Sequence, residues 1–425
     1  MEETAILQVL AEQKEDVQNM NVSALVPRFE ESLFEFDSPL AQVVIGVRRA
    51  GKSTLCHKAL QNKKIPYAYA NLDDDRLYAM TTEDLNKLLS AIYQLYGTET
   101  KYIFLDEIQN VEGWHLFVNR LLRSGMHVFV TGSNAKLLSS ELATHLTGRY
   151  NEIKLFPFSF AEFCKFHHVD LISITTKACA ARKIAFNDYL LNGGFPELQD
   201  IHNKRAYIQS LITSIIQKDI KHRFNIRNAE ILQTIANHLI NNNCQEINYK
   251  EIGKQFELST TTVSKYIDYL KQAFLTLLLN KLSFKSKERL RNQKSYVVDT
   301  GIIGNRDNAL TQENLGWRLE NVVYVELVRR AAKKFQDVYY YKPTTQSKEV
   351  DFAVCDQGNV VELIQVAYDI SSDKSFKRET SALISAAKKT NCEKLTLISF
   401  NESRTEQVQN KDINIRSAVE WMLFT

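Results

Sequence analysis

The chain has 425 residues, of which 44% are hydrophobic and 24% are charged, and its 53 basic and 50 acidic residues leave a net charge of +3. This composition is that of a globular protein and excludes a chain that is disordered throughout. Because the charges nearly balance, contact with nucleic acid requires a local basic patch. The six cysteines are scattered without a CxxC pair, which argues against a zinc knuckle or a disulfide scaffold.

The amino-terminal residues are acidic and carry no basic-then-apolar signal pattern. No apolar run approaches the roughly 20 residues that a membrane helix needs. The sequence therefore predicts a soluble cytoplasmic protein without a membrane partner, and its length predicts about two to four domains.

Short apolar strands alternate with helical stretches from residue 41 to about residue 160, after a mainly helical start. The predicted strands are AQVVIGV, YAYANLD, KYIFLDE, HVFVTGS and NEIKLFP. They are nearly continuous in apolar residues, as in a parallel sheet that is buried on both faces. The alternation predicts βαβ crossovers and a doubly wound α/β domain.

The stretch GVRRAGKS, at residues 46–53, matches the phosphate-loop pattern GxxxxGK[ST] between a predicted strand and a predicted helix. Glycines let the backbone N–H groups of such a loop turn toward phosphate oxygens, and the helix start adds its positive end. Lys52 is predicted to reach the β- and γ-phosphates, Ser53 to ligate Mg²⁺ and Thr54 to bond a further phosphate oxygen. The predicted nucleotide contacts are Gly46, Arg48, Arg49, Ala50, Gly51, Lys52, Ser53 and Thr54. For Arg48 and Arg49, exposure to solvent is an equal alternative.

Two acids, Asp106 and Glu107, end the predicted strand KYIFLDE at the edge where open α/β sheets bind ligands. Asp106 is predicted to hold the Mg²⁺ shell. Glu107 is predicted to orient and activate the attacking water, so that the site hydrolyses the nucleotide as well as binding it. No guanine-binding NKxD motif occurs in this domain, which favours ATP over GTP.

Further polar residues are candidates for roles at this site. Ser133 or Asn134, after the strand HVFVTGS, is predicted to position the water or touch the γ-phosphate, with an ordinary turn as the alternative. Arg149 is a candidate arginine finger, in cis or from a neighbouring subunit, and a surface arginine is the alternative. Arg120 and Arg123 compete with it for that role.

In the middle of the chain, the sequence pattern predicts helices up to residue 223, with a turn in LLNGGFPELQD. It predicts three more helices over residues 229–274. A predicted hairpin follows, and the basic turn KSKERLRNQK at residues 285–294 joins its strands. This pattern indicates a winged helix-turn-helix. DNA contact is predicted through Thr261, Thr262, Ser264 and Lys265 of the third helix and through Lys285, Lys287, Arg289, Arg291 and Lys294 of the basic turn. The alternative is a winged helix that packs within the protein or binds another protein.

The motifs GVRRAGKSTL, YIFLDEIQNVEGW, VTGSN, GRYNEIKLFPFSFAEF and LLNGGFPEL together resemble a widespread prokaryotic family of AAA+-like ATPases. Members carry a C-terminal domain of unknown function that contains a nuclease-like fold. The resemblance covers nearly the whole chain and implies four domains. These are a P-loop ATPase core over residues 1–160, a helical lid over 161–223, a winged helix over 224–300 and a small α/β PD-(D/E)xK-like domain over 301–425.

The last segment departs from the nuclease pattern at its metal site. SKEVDFAV supplies Glu349 and Asp351, but the resemblance aligns IQVA with a family stretch IEVK. Gln365 then stands where an acid is expected and Ala367 where a lysine is expected to activate water. Glu362, three residues before Gln365, points to the opposite face of the strand. Glu320 and Glu326 on the preceding helix add acids but not the lysine, so a fold without cleavage activity is predicted.

These features together predict an ATP-hydrolysing molecular switch that uses Mg²⁺ and passes its nucleotide state to a C-terminal DNA- or protein-interaction module. The alternatives are a DNA-binding protein gated by nucleotide, with little hydrolysis, and a protein-interaction scaffold. A protein partner or a homo-oligomer is compatible with each of them.

Overall fold

The computed structural model describes residues 1–132, 146, 148–226, 228–283, 292–306, 314–343 and 348–424. The chain forms two compact units, Met1–Phe156 and Pro157–Thr425. No helix in the described ranges is both long and apolar enough to cross a lipid bilayer.

The first unit alternates strands and helices, as the apolar pattern predicts. Its strands are β1 Ala41–Gly46, β2 Ala68–Asn71, β3 Tyr102–Asp106, β4 His127–Gly132 and β5 Tyr150–Leu155. Its helices are α1 Glu3–Asn19, α2 Lys52–Asn62, α3 Leu85–Tyr96 and α4 Trp114–Arg123.

The sheet of the first unit has the strand order β2-β3-β4-β1-β5, and every neighbouring pair is parallel. All residues of β1 are buried, as their nearly continuous apolar character predicts. The predicted α/β fold with a parallel P-loop sheet is confirmed. Because β4 lies between β1 and β3, the carboxyl ends of these three strands meet at one edge.

The second unit begins with a helical region. Its helices are α5 Phe160–Phe166, α6 Thr176–Asn192, α7 Lys204–Ser214, α8 Ala229–Asn241, α9 Tyr249–Gln255 and α10 Thr260–Gln272. Helix α7 continues into a π-helical segment, Ile215–Lys221. At the start of α10 the Ser259 side chain accepts a hydrogen bond from the backbone N–H of Thr262 at 3.0 Å, so Ser259 caps this helix.

An antiparallel hairpin follows α10, with strands β6 Thr276–Asn280 and β7 Gln293–Val297. Lys294, predicted to lie in an exposed basic turn, is part of β7 and only 4% exposed. The prediction that Lys294 contacts DNA phosphate is therefore wrong, because its ammonium group is paired with carboxylates inside the unit. Lys285, Lys287, Arg289 and Arg291 lie outside the described residues.

A six-stranded mixed sheet completes the second unit, in the order β12-β13-β11-β10-β9-β8. Its strands are β8 Asp337–Tyr341, β9 Val350–Asp356, β10 Asn359–Ala367, β11 Leu395–Ser399, β12 Arg404–Val408 and β13 Lys411–Ser417. Its helices are α11 Leu315–Lys334, α12 Asp373–Thr390 and α13 Ala418–Phe424. Side chains of α12 and of the central strands, among them Leu383, Leu363 and Leu397, form its buried core.

The motif LLNGGFPEL ends α6 and is explained by a contact with the segment after β7. The carboxylate of Asp299 accepts hydrogen bonds from the backbone N–H groups of Gly194 at 2.7 Å and Gly301 at 2.9 Å. Gly193 has a φ of 75°, and a Cβ atom there would lie 1.7 Å from Asp299 Oδ1. Gly193 is thus required because the carboxylate approaches the backbone closely, and Gly194 because a Cβ atom there would lie 2.4 Å from the backbone oxygen of Phe158.

Candidate active site

The phosphate loop joins β1 to α2 and depends on glycine at both of its ends. A Cβ atom at Gly46 would lie 2.1 Å from the backbone oxygen of Leu155 on β5, and Gly51 has a φ of 92°. Arg49 also has a positive φ, 68°. Positive φ values are unfavourable for residues other than glycine, and they are found most often at ligand-binding sites.

Lys52 lies inside this loop as the first residue of α2. Its Nζ donates hydrogen bonds to the backbone oxygens of Gly46 at 3.2 Å and Val47 at 3.1 Å, and the residue is 6% exposed. The ammonium group is therefore held inside the loop, and the N–H groups that begin α2 add positive charge at the end of the loop.

The other predicted phosphate contacts occupy the same loop and helix start. Ala50 is buried, Ser53 and Thr54 are half-buried, Arg48 is half-buried and Arg49 is exposed. Contact of these residues with phosphate stays a prediction.

Asp106, at the carboxyl end of β3, lies beside Ser53, and their predicted binding of Mg²⁺ stays a prediction. The Ser53 hydroxyl donates to Asp106 Oδ1 at 3.0 Å, and the Tyr69 hydroxyl donates to Oδ2 at 3.1 Å. The Thr131 hydroxyl on β4 also donates to Oδ1. Burial, followed by the charge of Glu107, raises the pKa of Asp106 above its usual range, while the three hydroxyl donors act in the opposite direction.

Glu107 adopts a left-handed conformation, with φ 51° and ψ 38°. Its backbone N–H donates to the Thr131 hydroxyl oxygen at 3.3 Å, and the side-chain amide of Gln109 donates to its Oε2. Its backbone and side chain are thus both held next to Asp106. A strained backbone that is held from two sides is typical of functional positions.

The arginine-finger candidates lie at the opposite edge of the sheet. The backbone oxygen of Arg149 accepts a hydrogen bond from the N–H of Ala41, the first residue of β1, at 3.0 Å. Gly46 ends the same strand about 16 Å away, farther than an arginine side chain reaches. Arg120 and Arg123 are in the last turn of α4, before the amino end of β4. None of the three reaches its own chain's loop in this fold, and a role of Arg149 in trans stays a prediction.

Strand β4 ends at Gly132, and Ser133 and Asn134 lie outside the described residues. Their predicted roles in positioning water or touching the γ-phosphate stay predictions.

Several residues of the site were not found from the sequence. Thr131, Tyr69 and Gln109 contact the acidic pair. Arg28 is 8% exposed, and its guanidinium donates to the backbone oxygens of Ala50 at 3.2 Å and Phe156 at 2.6 Å. Thr131 and Gln109 lie within the motifs VTGSN and DEIQN, whereas no local pattern indicates Arg28, which is 22 residues from Ala50 in the chain.

Family models match three parts of the chain. An AAA domain matches residues 38–164, and domains of unknown function match residues 183–313 (DUF8612) and 315–418 (DUF4143).

Two relatives of similar length resemble most of the chain. An uncharacterized protein of Methanocaldococcus jannaschii, MJ1544, is 33% identical over an alignment of 384 residues that covers 87% of this chain and 84% of that protein. An uncharacterized protein of Haemophilus influenzae is 32% identical over an alignment of 413 residues that covers 92% of this chain and 97% of that protein. Among solved structures, the Walker-type ATPase PABY2304 of Pyrococcus abyssi aligns with a TM-score of 0.44 and 17% identity, over 65% of this chain and 95% of that chain.

Proposed function

Because the chain belongs to a family of AAA-type P-loop ATPases with C-terminal domains of unknown function, we propose that it binds ATP with Mg²⁺ and hydrolyses it as a molecular switch. One observation carries this proposal. Ser53, Asp106 and Glu107 lie together at the carboxyl edge of the sheet, and Thr131 on β4 bridges the two acids. A loop that only binds nucleotide does not require a second acid, here Glu107, that is fixed beside Asp106 by Thr131.

The donor atoms beside the loop are suited to Mg²⁺. The Ser53 hydroxyl and the Asp106 carboxylate present hard oxygen atoms 3.0 Å apart, which are the ligands that this ion prefers. Bound Mg²⁺ offsets the charge that develops on the β- and γ-phosphates during transfer. Tyr69 and Thr131 fix the orientation of the Asp106 carboxylate.

Glu107 is the proposed base. The Glu107 backbone N–H donates a hydrogen bond to the Thr131 hydroxyl, and the Gln109 amide donates one to Glu107 Oε2. The Glu107 carboxylate therefore keeps one orientation toward an attacking water. It would accept the proton of that water as the bond from the water oxygen to the γ-phosphorus forms and the bond from the γ-phosphorus to the bridging oxygen breaks, which releases ADP and phosphate. Lys52 and the N–H groups at the start of α2 bind the phosphate oxygens.

The test compares phosphate release and nucleotide binding in the wild type and in single variants. Glu107→Gln is expected to lower the steady-state rate at least about 100-fold while ATP still binds, because only proton transfer is removed. Lys52→Ala is expected to lose nucleotide binding. Glu112→Gln, which changes the same charge at an exposed position five residues later, is the matched control and is expected to keep the wild-type rate. Equal rates in the wild type and Glu107→Gln would remove Glu107 as the base.

We propose that Arg149 acts as an arginine finger in the ATP site of a neighbouring copy of the chain. Its place at the amino edge of the sheet is the reason, because its own loop is out of reach. Arg149→Ala and Glu107→Gln are then each inactive alone, and mixing them restores activity at interfaces that combine an intact Arg149 with an intact Glu107. A mixture as inactive as its components contradicts a finger in trans.

The ATP site is proposed to control an interaction module in the second unit, with helices α8–α10 and the hairpin β6–β7 acting as a winged helix. Thr261, Ser264 and Lys265 are exposed on α10 and offer hydroxyl and ammonium donors, although Asp268 shares that exposed side. DNA is the favoured partner because such donors bind phosphate oxygens.

Retention of labelled duplex DNA at low salt, with and without ATP, tests this module. Lys265→Ala is expected to weaken binding and reduce its salt dependence, whereas Lys389→Ala, an exposed lysine on α12, is the control for the same loss of charge. Absence of DNA retention in every nucleotide state would refute DNA binding and favour the alternative, a protein-interaction scaffold. The cytoplasmic location stays a prediction.

The C-terminal sheet is proposed not to cleave DNA. Gln365, on β10, lies opposite Asp351 and occupies the position where an acid is expected. Ala367 occupies the position where the lysine that activates water is expected. Glu362 does not replace the missing acid, since it bonds Lys394 at 2.8 Å and Thr396 at 2.7 Å. Mg²⁺- or Mn²⁺-dependent cutting of plasmid or branched DNA by the full chain would overturn this proposal.

A further inference from the structure

A group of three acidic side chains in the second unit surrounds one lysine. Lys294 Nζ lies 2.5 Å from Glu349 Oε1, 3.2 Å from Glu320 Oε1 and 4.0 Å from Asp351 Oδ1. The four residues come from different elements: Lys294 from β7, Glu320 from α11, Asp351 from β9 and Glu349 from the residue before β9. We call this group the acid pocket.

Other protein groups also donate to the oxygens of the acid pocket. The Tyr296 hydroxyl donates to Glu320 Oε1 at 2.7 Å, and the backbone N–H of Val366 donates to Asp351 Oδ2 at 2.8 Å. Lys342 pairs with Glu349 Oε2 at 3.2 Å. The carboxylates are thus oriented by protein groups.

Gln365 adds to this arrangement from the facing strand. Its Oε1 accepts from the backbone N–H of Asp351 at 3.4 Å, and its amide nitrogen donates to Glu379 Oε2 at 2.9 Å. A carboxylate at this position would complete a pair of metal ligands with Asp351. The neutral amide instead connects β9 and β10 to α12.

We infer that the Lys294 ammonium group is the resident cation of the acid pocket. It lies among Glu320, Glu349 and Asp351, where the nuclease pattern has a divalent metal ion, and it joins the hairpin β6–β7 to the C-terminal sheet. The hairpin therefore closes a nuclease-like site with a side chain from a distant part of the chain. This inference is independent of the proposed ATPase function.

The electrostatics of the pocket keep this lysine charged. Burial lowers the pKa of Lys294, but the charges of Glu320, Asp351 and Glu349 outweigh burial and raise its pKa above the usual range. Burial raises the pKa of Glu320 and of Asp351.

Other contacts hold the hairpin in place without Lys294. The Asn321 side chain accepts from the backbone N–H of Val297 at 2.9 Å and donates to its oxygen at 3.0 Å. The Tyr324 hydroxyl donates to the Leu278 oxygen at 3.1 Å. A variant at Lys294 is therefore expected to fold, with a loss confined to the acid pocket.

Thermal unfolding of the full chain with and without millimolar MnCl₂ tests the inference. All proteins carry Asp106→Asn and are free of nucleotide, so that the first unit's site does not contribute. Lys294→Ala is expected to lower the Tm by roughly 5–15 °C, because three carboxylates lose their cation. Mn²⁺ is expected to recover at least about half of this loss, because it binds the folded state alone. The parent is expected not to respond.

Lys348→Ala is the matched control, since Lys348 is exposed and precedes Glu349. It is expected to match the parent in both Tm and Mn²⁺ response. A Lys294→Ala protein with the parent's Tm would overturn the inference. So would a parent that Mn²⁺ stabilises as much as it stabilises Lys294→Ala.

A second measurement needs no variant at Lys294. Electron paramagnetic resonance of free Mn²⁺ counts the ions that the Asp106→Asn parent binds, and none is expected to bind at micromolar concentration. One tightly bound ion for each chain, lost on Asp351→Asn, would show that a metal ion holds the pocket and would overturn the inference.

Discussion

Replacement of Asp299 by asparagine is expected to remove a pH-dependent part of the stability of the second unit. Asp299 is 5% exposed, and its carboxylate accepts hydrogen bonds from the backbone N–H groups of Gly194 and Gly301. Burial raises the pKa of Asp299 from 3.8 to about 6, although both N–H groups and the charge of Arg329 act in the opposite direction. The carboxyl group therefore takes up a proton more readily in the folded state.

The sign and size of the effect follow from these two pKa values. Since the folded pKa is the higher one, its stabilising contribution is complete below pH 3.8 and is lost as the pH rises through about 6. The shift corresponds to about 3 kcal/mol in total, of which about 1.4 kcal/mol is still present at pH 5.0 and almost none at pH 7.5. For a unit of this size, 1.4 kcal/mol changes the Tm by roughly 3–6 °C.

The assay is the difference in Tm between the wild type and Asp299→Asn at pH 5.0 and pH 7.5. The NH2 group of the asparagine amide is a donor and cannot accept a hydrogen bond from one of the two backbone N–H groups. This loss does not depend on pH, so it lowers the variant's Tm at both pH values by the same amount. The wild-type advantage is expected to be roughly 3–6 °C larger at pH 5.0 than at pH 7.5. Asp412→Asn, at an exposed position of the same unit, is the control. An Asp299→Asn difference that is identical at the two pH values would refute the reasoning.

Three further substitutions test the phosphate loop and its supports. Gly46→Ala is expected to abolish ATP binding and lower the Tm of the first unit, because its Cβ would lie 2.1 Å from a backbone oxygen. Gly316→Ala is the control, since the nearest atom to its Cβ is 3.7 Å away, and it is expected to change neither ATP binding nor the Tm. Arg28→Met is expected to weaken ATP binding about tenfold or more in calorimetry, because two charged hydrogen bonds to the backbone are lost; an unchanged affinity would show that Arg28 does not support the loop. Thr131→Val keeps the side-chain shape and is expected to lower the rate of phosphate release about tenfold with ATP binding retained; a wild-type rate would dismiss the bridge between the two acids.

The first unit was predictable where sequence neighbours define the chemistry. The phosphate loop and the pair Asp106 and Glu107 are contiguous motifs at the ends of apolar strands, so pattern and strand direction place them on one edge. The strand order is not contained in any motif, yet it brings Thr131 on β4 between the two acids. Arg149 is the opposite case. A local pattern indicates a finger, but β5 runs parallel to β1 and leaves Arg149 at the edge of the sheet away from its own phosphate loop.

Lys294 was mispredicted because its local surroundings are basic and its tertiary surroundings are acidic. In the sequence it ends the stretch KSKERLRNQK, which is typical of a solvent-exposed turn. In the fold its partners Glu320 and Asp351 are 26 and 57 residues away in the chain. Charge patterns along the chain predict exposure only when no distant element buries the residue, and here α11 and β9 bury it.

Asp106 and Asp351 are both buried carboxylates on strands, and burial raises the pKa of each, but their partners differ. The hydrogen-bond donors to Asp106 are the hydroxyl groups of Ser53, Tyr69 and Thr131, which orient the carboxylate and leave its charge in place. Asp351 shares the ammonium group of Lys294 with two other acids. Desolvated negative charge must be neutralised by a proton or by a cation. In the proposed ATPase the first unit takes up a cation together with its nucleotide, whereas by the inference above the second unit contains its own cation. Mg²⁺ together with ATP is accordingly expected to raise the Tm of the first unit and to leave the Tm of the acid pocket's unit unchanged.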